Sequence, residues 1–283
     1  MKPEFVFWGS SDFSVLILEE LLSHGSKPVL VVTTPDKAQG RKMLVQPNVV
    51  KTWAEKNNIP CLTPERLKEP EFLKKIETYK IHFVASYGRI ISKEVLDLPE
   101  VKLINIHPSL LPKYRGASPL QAQILADEKN IGVSLILIDT EMDHGSLLAQ
   151  QKVEINNWPV SFGELAGILG RAGTEMFLNL LPGLTQGKFE AREQNHTAAT
   201  YTEKFDKKDG ELDLVSGDAW QNYLKIRAFS VSPQTYFFIE KNDAKIRVVI
   251  KDAKYENGKL IILRVTPEGR KEMDYVDFLR GLK

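Results

Sequence analysis

Short apolar runs separated by turn-forming residues dominate the first 155 or so positions, and their lengths alternate between those of strands and helices. Glu4 to Trp8 is an apolar run that stops at Gly9-Ser10-Ser11-Asp12. Phe13 to Leu22 is apolar on nearly all faces, with Ser or Asp to cap its front and His24-Gly25 behind it, which predicts a buried helix. Pro28 to Thr33 is a continuous β-branched run, the pattern of a parallel strand covered on both faces. Strand, turn, helix and strand make a βαβ unit. The same alternation predicts helices at 48–57, 65–79, 92–98 and 118–127, and strands at 82–86, 101–107, 132–138 and 147–155. The fold class is therefore α/β: an open, mostly parallel twisted sheet with helices on both faces and functional loops at the carboxyl ends of the strands.

Later the pattern changes. Residues 161–184 have the apolar spacing of a long helix, although Gly163, Gly167, Gly170 and Gly173 weaken it. Residues 188–208 are polar and weakly periodic, as expected of a linker running over the surface. After a helix at 218–228 come three short alternating strands, 235–239, 245–253 and 259–265, with turn signals at Asn242-Asp243 and Asn257-Gly258. The predicted division is 1–187 for an α/β domain, 188–206 for a linker and 207–283 for a small β domain.

Composition narrows the classes of function. With 283 residues, 42% of them hydrophobic, the chain has enough apolar content for a true core. The net charge of +1 argues against binding nucleic acid by bulk electrostatics, so any polyanionic partner must meet a local patch. Residues 245–271 offer one, with eight basic and three acidic side chains, although a solvated β surface has the same composition. A single cysteine, Cys61, excludes a disulfide framework and a multi-thiolate zinc site. Nowhere are there ~18 consecutive apolar residues, and a charge interrupts the apolar N-terminus, so a soluble, cytoplasmic protein without a membrane partner is expected.

The first turn, Gly9-Ser10-Ser11-Asp12, lacks the spacing of a dinucleotide site and the ending of a P-loop, and reads best as a plain strand-to-helix turn. The densest polar cluster is Asn105-Ile106-His107-Pro108-Ser109 at the end of a predicted buried strand, where alternation puts Asn105 and His107 on one side. An apolar, Pro/Gly-punctuated loop, Leu110 to Gly116, follows directly. After the next strong strand comes an acidic segment, Asp139 to Gly145, from which Asp143 can reach His107 if the two strands are close. A satisfied core histidine and a solvated acidic turn are the plainer readings, and the ligand spacing does not suit a metal. No GxSxG elbow is present, so covalent catalysis lacks support. Direct acyl transfer to an amine fits the three residue types: Asn105 donates to the developing oxyanion, His107 donates to it or relays a proton, and Asp143 acts as base.

The stretch Asn105-Ile106-His107-Pro108-Ser109-Leu110-Leu111-Pro112, with Asp143 following, resembles the Asn, His, Asp centre and SLLP loop of the 10-formyltetrahydrofolate-dependent formyltransferases. Gly9 to Phe13, Thr34 to Lys42, Thr197 to Gly210 and Pro267 to Met273 are similar to stretches of the methionyl-tRNA formyltransferase branch. The resemblance implies a Rossmann-like formyltransferase fold with a small C-terminal OB-like domain, here shortened. It implies transfer of a formyl group from 10-formyltetrahydrofolate, as co-substrate and without a metal, to the α-amino group of initiator methionyl-tRNA by a monomeric enzyme. It assigns catalysis to Asn105, His107 and Asp143, and folate binding to Ser109, Leu110, Leu111, Pro112, Tyr87, Gly88, Arg89 and Ile90. Arg41 and Lys42 fall in the loop that meets the tRNA acceptor stem, where Met43 and Leu44 stand in place of further lysines. His144 is an extra titratable residue beside Asp143. A sugar-nucleotide formyltransferase shares the centre, and an RNA-binding module on an inactive scaffold is the non-enzymatic alternative.

Overall fold

The computed structural model describes residues 3–39, 44–241 and 244–282. Two compact units emerge. The first comprises residues 1–115, 132–153 and 167–201, and the second comprises 116–131, 154–166 and 202–283.

The first unit is built on a seven-stranded sheet of β1 (Val6–Gly9), β2 (Leu30–Val32), β3 (Cys61–Leu62), β4 (Ile81–Ala85), β5 (Lys102–His107), β6 (Gly132–Leu137) and β7 (Leu147–Lys152). Its strand order is β7-β6-β5-β4-β1-β2-β3. The first five strands run parallel, whereas β6 pairs antiparallel with β5 and β7 antiparallel with β6. The order reverses between β1 and β4, so their carboxyl ends and that of β5 flank the crevice where such sheets bind ligands. Alternation sorts the apolar residues of β1 and the one before it to the two faces: Phe5 and Phe7 join one buried cluster, Val6 and Trp8 the other. Both faces are thus covered, as the continuous β-branched runs require.

Helix α1 (Asp12–Ser23) follows β1. Ser11 caps it, and Ser14 Oγ accepts from the Ser10 and Ser11 amides at 3.0 and 3.1 Å while donating to the Ala85 carbonyl at 2.6 Å. The amides of this turn therefore bond within the chain, as in a plain strand-to-helix turn. Helix α2 (Val49–Lys56) matches its predicted span within a residue. Helix α3 (Pro70–Ile76) is shorter than the predicted 65–79. Pro70 occupies its start, where a fixed φ and a missing N–H cost nothing, and the Arg89 guanidinium holds the carbonyls of Pro64 and Glu65 at 2.7 Å each in the preceding turn. Helix α4 (Lys93–Leu96) is a single turn.

Two further helices are α5 (Pro119–Leu125), in the second unit, and α6 (Phe162–Thr185). The glycines that argued against α6 have a packing reason in at least one case. A Cβ at Gly173 would lie 2.1 Å from Ile106 Cδ1, so glycine lets the helix sit close on β5. In the second unit, Asp218 caps α7 (Ala219–Ala228) by accepting from the Gln221 amide. The strands β8 (Tyr236–Lys241), β9 (Ala244–Glu256), β10 (Lys259–Pro267) and β11 (Met273–Asp274) form an antiparallel meander in that order, followed by α8 (Tyr275–Arg280). The Asn257-Gly258 turn has both residues at positive φ, 51° and 75°, as a two-residue hairpin demands. The Asn242-Asp243 turn lies outside the described residues. Among the described residues β8 and β11 do not pair, so this four-stranded sheet is open and not a closed barrel. No helix among the described residues is long and apolar enough to cross a membrane.

One buried group gives the first unit a pH signature. His82 on β4 is fully buried; the Trp8 indole donates to its Nδ1 at 2.9 Å, and its Nε2 donates to the carbonyls of Tyr79 and Ile76 at 3.0 and 3.2 Å. Both ring nitrogens are occupied in the neutral form, and burial pushes the imidazole down from 6.5 to about 4. Since the folded pKa is depressed, this stabilisation is complete above 6.5 and is lost as pH falls toward 4, on the order of 3 kcal/mol in all. Urea unfolding across that range should therefore show a steeper loss in the parent than in His82→Gln, which keeps an acceptor for Trp8 without a titrating group; equal slopes would refute the assignment.

Candidate active site

Strand β5 delivers Asn105, half-buried, and His107, 3% exposed, to one side of the sheet. His107 Nε2 donates to the carbonyl of Tyr114 at 2.9 Å. A carbonyl can only accept, so the ring carries its hydrogen on Nε2 and, when neutral, leaves Nδ1 bare. Nδ1 lies 3.5 Å from Asp143 Oδ1. The one ring position that gains or loses a proton thus faces a carboxylate.

The loop after β5 is held from four directions. Ser109 is fully buried and its hydroxyl donates to the Lys113 carbonyl at 2.7 Å. Ser134 of β6, opposite His107 in the ladder, donates to the Ser109 carbonyl at 2.6 Å and accepts from the Leu111 amide at 3.1 Å. Gln150 of β7 donates to the Leu111 carbonyl at 2.7 Å, and Leu111 packs on Ile136 and Leu147. Thr200 accepts from the Tyr114 amide through Oγ1 and from the Arg115 amide through its carbonyl, both at 2.8 Å. Ser109 is consequently a fold-holding residue in this arrangement and not an available nucleophile. Leu110 is half-buried, with Gly132 beneath it, and Pro112 is also half-buried.

The second segment assigned to folate, Tyr87 to Ile90, divides by exposure. Tyr87 is 3% exposed and packs edge-on to Trp8, and burial pushes its hydroxyl pKa up. Arg89 is tied to the 64–65 turn. Gly88 and Ile90 are open to solvent, Ile90 at 88%, and offer an uncovered apolar surface at the carboxyl end of β4. Arg41 and Lys42 lie outside the described residues. The strands on either side of them, Lys37–Gln39 and Leu44–Gln46, pair as a hairpin. Its base is tied by Asp36, which accepts from the Asn48 amide at 2.9 Å and from Lys51 at 2.7 Å.

Asp143 itself stands in a left-handed conformation, φ 53°, within the loop after β6. Two residues on, a Cβ at Gly145 would meet the Leu137 carbonyl oxygen at 1.8 Å, so only glycine lets the loop close back on the strand. Gln194 donates to the carbonyls of Asp143 and Gly145 at 2.9 and 2.7 Å. It is 4% exposed, although it belongs to the polar stretch expected to run over the surface; its amide bonds explain the burial. His144, whose Nδ1 pairs with Asp139 at 2.7 Å, stacks on His196 with ring centroids 4.0 Å apart. Gln194, Thr200 and Ser134 gave no signal in the sequence because their partners lie far from them along the chain. Among the described residues, a single group of three possible metal ligands converges, Glu20, His24 and Glu175, at the far end of α1 from this site. A cleft of about 610 Å³ at the amino-terminal end of the sheet, lined by Pro3, Tyr79 and Pro182 among others, is likewise remote from the cluster.

An amide and a histidine of fixed tautomer on β5, with a carboxylate 3.5 Å from the ring, are thus grouped at the carboxyl end of a mostly parallel sheet. Residues 3–177 match the family described as formyl transferase. Two relatives are both methionyl-tRNA formyltransferases. That of Thermotoga sp. (strain RQ2) is 38% identical over 243 residues, covering 85% of this chain and 77% of its own. That of Thermodesulfovibrio yellowstonii is 33% identical over 303 aligned positions, covering 100% and 97%. The solved methionyl-tRNA formyltransferase from Clostridium thermocellum, 17% identical, superposes with a TM-score of 0.62 over 96% of this chain and 99% of that one, and so shares the fold. The chain belongs to the formyl transferase family and, within it, to the methionyl-tRNA formyltransferases.

Two substitutions separate chemistry from loop folding. Asp143→Asn keeps the side-chain volume and removes the charge, and should lower kcat by roughly 10²- to 10⁴-fold. Ser109→Ala should cost about 1–3 kcal/mol of stability while leaving the folded enzyme's kcat within about tenfold of the parent. Steady-state kinetics and urea unfolding measure both, and a Ser109→Ala enzyme as inactive as Asp143→Asn would restore serine as a nucleophile.

Proposed function

We propose that this chain transfers the formyl group of 10-formyltetrahydrofolate to the α-amino group of methionine on initiator tRNA, by direct attack of the amine and without a covalent enzyme intermediate. The observation that carries this reading is the His107–Asp143 pair beside Asn105, with the neighbouring serine hydroxyl buried and bonded to the main chain. As the amine attacks the formyl carbon, negative charge grows on the carbonyl oxygen, and the amide of Asn105, two residues before His107 on β5, donates to it. The nitrogen must lose a proton. Asp143, more exposed than His107, receives it, and His107 Nδ1 shares it; the hydrogen bond from Nε2 to Tyr114 keeps the ring fixed while this occurs. Collapse of the tetrahedral adduct breaks the bond from carbon to the folate nitrogen, which takes the proton as it leaves.

The folate fits the exposed apolar turn at Gly88 and Ile90 together with the backbone of the Ser109 to Pro112 loop, whose shape Ser134 and Gln150 fix. For the tRNA, residues 207–283 supply 15 basic against 12 acidic side chains, a modest bias suited to phosphate contacts, and Arg41 and Lys42 are assigned to the acceptor stem. Residues 1–187 are assigned to catalysis and 188–206 to the connection, with 116–131 and 154–166 folding into the second compact unit and 188–201 into the first. The enzyme works as a monomer in the cytoplasm.

The test offers one preparation two acceptors. With 10-formyltetrahydrofolate as donor, the protein should formylate methionyl initiator tRNA and leave an amino-sugar nucleotide unmodified. The reverse outcome would move the chain to the sugar-nucleotide formyltransferases.

A further inference from the structure

Asp143 is held in an uncommon backbone conformation, and the groups that hold it converge on one buried cation. Its carbonyl and that of Gly145 both accept from Gln194 Nε2. The Gln194 amide can be oriented in a single way, because on its other side Oε1 accepts from Arg115 at 2.7 Å and a guanidinium only donates. Arg115 is 1% exposed. It also donates to His196 Nδ1 at 2.8 Å and reaches the Tyr201 hydroxyl at 3.4 Å. His196 in turn stacks on His144, the residue after Asp143. The main chain links the same arginine to the other catalytic partner: Arg115 follows Tyr114, whose carbonyl anchors His107.

We propose that Arg115 and Gln194 are positioning residues for the His107–Asp143 pair. One buried guanidinium, through the Gln194 amide on one side and the Tyr114 peptide on the other, sets the 3.5 Å separation across which the proton is shared. A non-Gly residue at φ 53° has a cost that the surroundings must offset, and two charge-supported hydrogen bonds from a desolvated amide do so. Without them the loop relaxes and the carboxylate turns away from Nδ1. His144 extends the brace, since the stack with His196 places a second contact on the same loop.

This inference rests on the formyl-transfer reading, so its test includes an arm that does not. Gln194→Glu keeps an acceptor for Arg115 but presents no donor to the two carbonyls. Gln194→Met removes both and adds no charge. Each should lower kcat by roughly 100-fold, the effect of a misplacement near 1 Å, with KM for donor and acceptor within about threefold of the parent. The second arm follows the ¹⁵N resonance of His107 Nδ1, whose position should differ between Gln194→Met and the parent, because the carboxylate 3.5 Å away turns from it, whether or not any acceptor is formylated. If the parent transfers nothing to methionyl-tRNA, the functional reading falls and this resonance alone decides the brace. Variants that remain folded by circular dichroism with parental kcat and an unchanged Nδ1 resonance would overturn it.

Discussion

The hydrogen bond from His107 Nε2 to the Tyr114 carbonyl is the constraint on which the site depends. It chooses the tautomer, and with the tautomer it chooses which ring nitrogen does chemistry. A histidine free to turn would present either nitrogen to substrate or water, and a nearby carboxylate would then compete with solvent for it. Here the far nitrogen is tied to the main chain and the near one faces Asp143. The geometry of the proposed catalytic pair is therefore set by how the two loops that carry Tyr114 and Asp143 are folded.

Both loops are shaped by the sheet beneath them. Strand β6 turns antiparallel to β5, which puts Ser134 directly across from His107 and lets its hydroxyl organise Ser109 and Leu111 at once. The close approach of α6 at Gly173 keeps Ile106, the residue before the histidine, packed from below. A Cβ at Gly145 would strike the Leu137 carbonyl, so the Asp143 loop returns to the strand at a position that tolerates no side chain. These are close-packed arrangements with little room for adjustment, which is how a fold holds two side chains at a fixed distance.

Much of this was legible in the sequence, and the reason is local. The β-branched runs of a doubly covered parallel sheet, the serine and aspartate caps and the Asn257-Gly258 hairpin each rest on residues that are neighbours in the chain. Asn105 and His107 are also neighbours on one strand, and the apolar loop after them flagged the site. Helix α3 came out short because a tertiary bond, Arg89 to the 64–65 turn, outweighs local periodicity. Gln194 and Thr200 read as surface linker in the sequence, because polarity in a weakly periodic stretch says nothing about a partner tens of residues away. For Arg115 the signal was faint but physical: an arginine flanked by Tyr114 and Gly116 in an apolar loop is a charge that must find several acceptors.

The most direct measurement is ¹⁵N NMR of the His107 ring across the pH range, with the chain's five histidines assigned by single substitution. In the neutral ring Nε2 should carry the hydrogen with Nδ1 bare, and Asp143→Asn should displace the Nδ1 resonance. A neutral ring protonated at Nδ1, or an Nδ1 resonance indifferent to Asp143→Asn, would contradict the proposed pair.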